Sequence, residues 1–176
     1  LTPAARFEIE RLLQMHRMER KPLPLITVHK LQGTSAIRRW ARPRFQGIAG
    51  RHQGPLGTVS ISTYAWRHLT RVTRPQSHIT DSLTVLPYAT QLLKIRPHQL
   101  QTLGQQSTEC GGRTHVSRKV LAIYRNVRFS DKGNCVVYIR LDERVSYPSD
   151  WMQTSLIRAR VLQELRLESI YRKPAR

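Results

Sequence analysis

The densest set of chemically active side chains lies between residues 38 and 52, where arginines alternate with aromatic residues. A guanidinium group pairs with phosphate through two parallel hydrogen bonds, and an aromatic ring can stack on an unpaired base. The alternative is a flexible basic linker whose tryptophan packs on the core. We favour contact with RNA, through Arg38, Arg39, Trp40, Arg42, Arg44, Phe45, Arg51 and His52.

A second basic group follows a segment that carries Tyr64 and Trp66. Arg67, Arg71 and Arg74 lie in or next to a predicted loop here. A strand that leads into a basic loop can extend one binding face, so we expect these arginines to contact RNA as well. A solvated loop is the alternative.

A third basic group surrounds two consecutive glycines at 111 and 112. Backbone N–H groups of such a turn can hold a phosphate, helped here by Arg113, Arg118 and Lys119. No lysine follows the last glycine directly, as a nucleotide-binding P-loop requires. An ordinary loop that enters a hairpin, with incidental phosphate contact, is the favoured interpretation.

The charge balance supports a polyanionic partner. The chain of 176 residues has 30 Lys and Arg against 11 Asp and Glu, a net charge of +19, and 24 of the basic residues are arginine. Residues 20–80 contain eleven basic residues and no acidic one. Such a surplus costs self-repulsion unless phosphates neutralise it. An anionic membrane surface, an acidic protein, or a GC-rich genome that favours arginine codons are the alternatives.

Metal binding and catalysis find little support. The spacing of Cys110, His115 and Cys135 fits no zinc motif, so we expect two free thiols, no metal and no cofactor. His78 and Asp81 are neighbours in sequence, but catalytic groups are recognised by geometry rather than proximity. Acidic residues are too scattered for a two-metal site. We therefore expect neither an enzyme nor a small-molecule substrate.

The elements that must position these residues begin and end with predicted helices. Thr2 and Pro3 are suited to the start of a helix over 2–19. A second helix is predicted from Pro148–Ser149 to about Tyr171, with a basic tail over 172–176, because apolar residues after Met152 recur at helical spacing.

Strand patterns occupy parts of the middle. Short strands are predicted over 25–29 and 58–69, a polar loop over 104–115, and a β-hairpin over about 119–142 with its turn at residues 130–134. Residues 81–103 are ambiguous: their pattern allows a strand over Leu83–Leu86 and a helix over Tyr88–Ile95, after Pro87. In the hairpin, one face is expected to carry Leu121, Ile123, Val127 and Phe129 from the first strand and Cys135, Val137, Ile139 and Leu141 from the second.

Together these patterns predict an α+β fold with a small antiparallel sheet, two terminal helices and basic extended loops. The chain is expected to form a single domain over 1–176. A Gly- and Pro-rich basic extension over 20–57 would precede a main core over 58–171, and residues 33–57 of it are expected to be poorly ordered without a partner. No apolar run is long enough to cross a membrane.

A compact core, an arginine-rich acid-free extension and the absence of a catalytic pattern resemble mitochondrial ribosomal proteins as a class. The resemblance implies a structural constituent of the mitochondrial ribosome that binds rRNA and other ribosomal proteins in the matrix, after removal of a presequence. The alternatives are a non-catalytic subunit of another organellar complex, respiratory or RNA-processing, and an RNA-processing enzyme or its accessory factor.

Overall fold

A computed structural model describes residues 1–154 and 159–175. The fold is α+β, and its centre is an open sheet of seven strands that is mixed rather than antiparallel. The order is β1-β5-β6-β7-β3-β2, and β4 pairs with the same edge of β5 as β1. The strands are β1 Leu25–Ile26, β2 Gly50–Gly54, β3 Gly57–Ile61, β4 Gln99–Cys110, β5 Arg113–Phe129, β6 Gly133–Pro148 and β7 Leu162–Pro174.

The first helix, α1, spans Pro3–Arg17 and starts where its sequence predicts. The Thr2 hydroxyl accepts a hydrogen bond from the backbone N–H of Ala5 (3.1 Å), and Pro3 occupies the first turn. At the other end, Nη1 of Arg96 donates to the carbonyl oxygens of Met15 and Met18 (3.0 and 2.9 Å). This interaction ties the end of α1 to the segment before β4.

The second helix, α2, spans Thr34–Ile48 and corrects the expectation of a poorly ordered segment there. Ile37, Ala41 and Phe45 recur every four residues and are all buried in the core. Pro43 lies inside the helix rather than ending it, which leaves the carbonyl of Arg39 without its usual helical donor. Three buried side chains outweigh that loss.

A hairpin of β2 and β3 follows α2 and closes one end of the sheet. β3 pairs in parallel with β7, through Val59 beside Leu165. Gly54 lies against the carbonyl of Leu93, and a Cβ at this position would clash with that oxygen. Part of the predicted extension is therefore built into the core.

Three helices then lead to the long strands. The chain forms α3 (Thr63–Leu69), α4 (Gln76–Val85), a single 3₁₀ turn (Leu86–Tyr88) and α5 (Ala89–Leu93). The predicted strand over 58–69 is correct only as far as Ile61, because the Ser62 hydroxyl accepts from the N–H of Tyr64 and caps α3.

The predicted polar loop over 104–115 is instead the turn end of a second hairpin. β4 pairs antiparallel with β5 across a two-residue turn, Gly111–Gly112, whose φ values are +61° and +74°. Two consecutive positive φ angles suit the tightest hairpin turns, where glycine is favoured. The polar side chains misled the prediction because β4 is a solvent-exposed edge strand.

β5 and β6 pair antiparallel across a turn at residues 130–132, and both extend well beyond 119–142. Cys135, Val137, Ile139 and Leu141 share the core face as expected. The expected core face of β5 is correct for Val127 and Phe129 but wrong for Leu121 and Ile123, because a bulge after Tyr124 shifts the alternation; Asn126 there has φ +59°. The core row is Val120, Ala122, Tyr124, Val127 and Phe129, and Leu121 and Ile123 point to the opposite face.

The predicted C-terminal helix is wrong over its second half. Residues 162–174 form β7, which pairs antiparallel with β6 along its whole length. Leu165, Leu167 and Ile170 reach the core, with a bulge between the last two. Residues 149–153 form turns, and positions 155–158 of the predicted helix lie outside the described residues.

Buried ion pairs join α1 to the face of the sheet that carries the core. Glu143 on β6 is 1% exposed and contacts the guanidinium groups of Arg11 and Arg118. Gln163 donates to the same carboxylate (2.7 Å), and Arg118 also pairs with Glu8 on α1. A buried carboxylate needs such partners to offset its desolvation.

Replacing Glu143 by Gln removes the charge that both buried arginines share. We expect the free energy of unfolding to fall by about 3–5 kcal/mol, because two guanidinium groups stay buried without their main partner. Glu10→Gln, which breaks the exposed pair with Arg6, is the control and should cost less than about 1 kcal/mol. Urea unfolding followed by circular dichroism measures both; equal losses would contradict the assigned role of Glu143.

Candidate nucleic-acid interface

The outer side of α2 presents four arginines to solvent. Arg38, Arg39, Arg42 and Arg44 are all exposed, while the opposite side of the helix is buried. None of the four has a carboxylate oxygen within 4.0 Å in residues 1–154 and 159–175. The helix therefore holds four uncompensated charges on a rigid support.

The aromatic residues of this segment are engaged with the protein. Phe45 is 3% exposed and packs on Trp66 of α3, with ring centroids 5.3 Å apart. The expectation that Phe45 offers its face to a base is therefore contradicted, because the core covers it. Trp40 is half-buried, 5.8 Å from the ring of His29.

Two of the arginines lie over tryptophan rings. The guanidinium of Arg42 is 5.0 Å from the centre of the Trp66 ring, and that of Arg44 is 4.5 Å from the centre of the Trp40 ring. Cation–π interactions of this kind fix the direction of a long side chain. Trp66 was absent from the predicted site; its place beside two α2 residues depends on how α2 and α3 pack.

The second predicted group divides between surface and interior. Arg67 and Arg71 are exposed, and Arg71 contacts the ring of His68. Arg74 is half-buried and donates to the carbonyl of Leu69 (3.0 Å) and the hydroxyl of Ser82 (3.4 Å). Burial lowers the pKa of His68, with a further lowering from Arg71, against the opposing effect of Glu168.

Arg51 and His52 lie on β2, apart from the arginines of α2. Arg51 is exposed and lines a groove with Ser60, Arg144 and Arg166 on the sheet face away from the core. His52 has a structural role, since its Nε2 is 2.6 Å from the carbonyl oxygen of Ile48 at the end of α2. We define the helical arginine surface as Arg38, Arg39, Arg42, Arg44, Arg67 and Arg71.

The third predicted group is largely used inside the protein. Arg118 is 4% exposed between Glu8 and Glu143, so it cannot meet a phosphate without breaking buried pairs. Arg113 donates to the hydroxyl of Ser146 (2.8 Å) and to the carbonyl of Arg160 (3.0 Å).

Lys119 takes part in a cluster on the sheet face away from the core. It contacts Asp142 and Glu168, and Arg166 also donates to Asp142 (2.9 Å). Burial acts to lower the pKa of Lys119, but hydrogen bonds to the two carboxylates outweigh it, so its pKa is raised. Burial acts to raise the pKa of Asp142, but hydrogen bonds from Lys119 and Arg166 hold it below the ordinary value. This cluster is close to electrically balanced.

Groups suited to catalysis or metal binding are not brought together. Within the described residues, no three His, Cys, Asp or Glu side chains are placed to hold a metal ion. Cys110 is exposed and Cys135 is buried, and neither forms a disulfide. Asp81 accepts hydrogen bonds from Arg172 and Lys132. Among residues 1–154 and 159–175, no helix is long and apolar enough to cross a membrane.

Comparison with known proteins identifies no relative. No family profile, no curated protein and no solved structure matches this chain.

The four arginines of α2 should contribute little to folding. We expect the quadruple variant Arg38→Gln, Arg39→Gln, Arg42→Gln, Arg44→Gln to lose less than about 2 kcal/mol, which covers its two cation–π interactions. Phe45→Ala should cost about 3–5 kcal/mol through the cavity it leaves. Urea unfolding compares them; a quadruple variant as damaged as Phe45→Ala would place these arginines in the stability of the core.

Proposed function

We propose that this chain is a structural, non-catalytic component of a mitochondrial ribosome, where it binds rRNA and neighbouring ribosomal proteins. One observation carries the proposal: the exposed arginines of the helical arginine surface have no acidic partner in the described part of the chain. Uncompensated guanidinium groups on a rigid helix suit the phosphates of a folded RNA.

The distribution of acids supports the same proposal. Asp131, Asp142 and Glu168 are all engaged with Arg or Lys on the strands and their turns. Hydrogen bonds from Arg172 hold the pKa of Asp131 below its ordinary value. Carboxylates bound in this way are poor general bases, which favours a binding role over a catalytic one.

Association with RNA should depend steeply on salt. We expect the affinity for structured rRNA fragments to fall linearly with salt on logarithmic axes, with a slope of about 0.7–0.9 per phosphate neutralised. The quadruple α2 variant should reduce that slope by up to about 3, because it leaves up to four phosphates without their arginine. Fluorescence anisotropy across a salt series gives both values.

A matched control removes four exposed charges elsewhere. This control variant lowers the net charge by the same amount as the α2 variant, at positions outside the helical arginine surface: Arg17→Gln, Lys94→Gln, Arg125→Gln and Arg128→Gln. If both quadruple variants lose affinity equally, the helical arginine surface is not the binding site. A flat salt response would reject RNA binding itself. If this protein still co-sediments with a large complex after mitochondrial extracts are treated with RNase, it would instead be a subunit of an organellar complex held together by protein contacts.

A further inference from the structure

A basic cleft lies between helices α3 and α4 on one side and strands β6 and β7 on the other. Its volume is about 530 Å³, and Arg74, Arg140, Lys173, His68, Ser169 and Tyr171 are among the residues that line it. Sequence patterns alone do not reveal it, because three separate parts of the chain meet there. It shares no lining residue with the helical arginine surface, although Arg71 of that surface contacts His68 of the cleft.

Three cations of this cleft lack an acidic partner. Arg74, Arg140 and Lys173 have no carboxylate oxygen within 4.0 Å in the described residues. The neighbouring Arg172 differs, since Asp81 and Asp131 both accept hydrogen bonds from it (2.9 and 2.8 Å). The cleft therefore keeps a surplus of positive charge that the protein does not neutralise itself.

The guanidinium of Arg140 is incompletely satisfied. Its Nε is buried and has no hydrogen-bond partner among the described residues. Arg140 lies on β6 between Leu121 of β5 and Ser169 of β7, at the bulge that precedes Leu141. A buried donor without an acceptor costs free energy. The same guanidinium lines the cleft, so its positive charge is available to an anion bound there.

An aromatic pair adjoins this charge. The rings of Tyr138 and Tyr171 stack in parallel, 5.0 Å apart and 13° from coplanar. A second cleft of about 620 Å³ lies on the far side of Tyr138, against Val136, Pro174 and Ala175. Lys173 lines both clefts, and its Nζ stands 5.7 Å from the centre of the Tyr138 ring.

We propose that the two clefts form one site for a nucleotide of single-stranded RNA. The phosphate group binds between Arg74, Arg140 and Lys173, and the base lies against Tyr138 on the apolar side. A base on an aromatic ring together with a phosphate on cations is how proteins hold single strands without reading sequence. This inference rests on the proposed function and adds a second, single-strand site to it.

The test measures binding of a short fluorescein-labelled oligouridylate by anisotropy. We expect the double variant Arg74→Gln, Arg140→Gln to weaken binding about tenfold and to lower the salt slope by about 0.7 for each phosphate that it no longer neutralises. The control Lys94→Gln, Arg128→Gln removes the same charge from exposed positions outside the cleft and should change affinity less than about twofold.

A second arm tests the base. Tyr138→Ala should weaken binding of oligouridylate about tenfold but leave binding of an abasic strand of equal length unchanged, because only the base stacks. Tyr138→Leu, which keeps an apolar side chain without a ring, should behave like Tyr138→Ala. Thermal unfolding of each variant establishes that the fold is retained.

The outcomes separate the two proposals. If the wild-type protein binds structured rRNA and the cleft variants match their control, the cleft assignment is wrong and the proposed function stands. If the wild-type protein binds no RNA, both fail. Equal competition by free uridine monophosphate would assign the site to a mononucleotide and overturn the assignment to a strand. Equal weakening on the abasic strand would remove Tyr138 from the site.

Discussion

The placement of a few carboxylates governs this molecule. Eleven acidic residues accompany thirty basic ones, and seven of the eleven contact a basic side chain within the described residues. On the long strands, Glu143 pairs with buried arginines on the core face, and Asp142 and Glu168 pair with Lys119 on the opposite face. These strand positions are thereby compensated, whereas Arg140 and Lys173 at the basic cleft and the arginines of α2 and α3 have no acidic partner among the described residues.

This division changes how a basic segment can act. A disordered extension would lose conformational entropy when it binds, and affinity would fall accordingly. Here Ile37, Ala41 and Phe45 anchor α2 to the core, so the backbone that carries its arginines is already ordered. Such preorganisation reduces the entropic cost of binding. Its own cost is a stationary cluster of like charges, which the buried face of the same helix must outweigh.

Local sequence signals predict part of the fold correctly. The predictions that are wrong concern segments whose structure depends on pairing with distant parts of the chain. α1 was predictable because its cap and its proline act within one turn. The helix expected after Met152 becomes β7 because β6 offers it an edge along its full length. The polar residues of β4 gave no alternation to detect, since both of its faces meet water. The bulge at Asn126 moves the side chains on its two sides to different faces of β5, and a prediction from strict alternation does not include such a shift.

The same distinction limits what sequence can say about the site. Arg38 and Arg118 are both arginines in basic stretches, yet one is exposed and the other is buried between two glutamates. The difference lies in Glu143 and Glu8, and Glu8 is 110 residues from Arg118 along the chain. Composition therefore predicts the sign of the partner's charge, because the net charge of the chain does not depend on folding. Which arginines are available to that partner depends on which carboxylates the fold brings to the others.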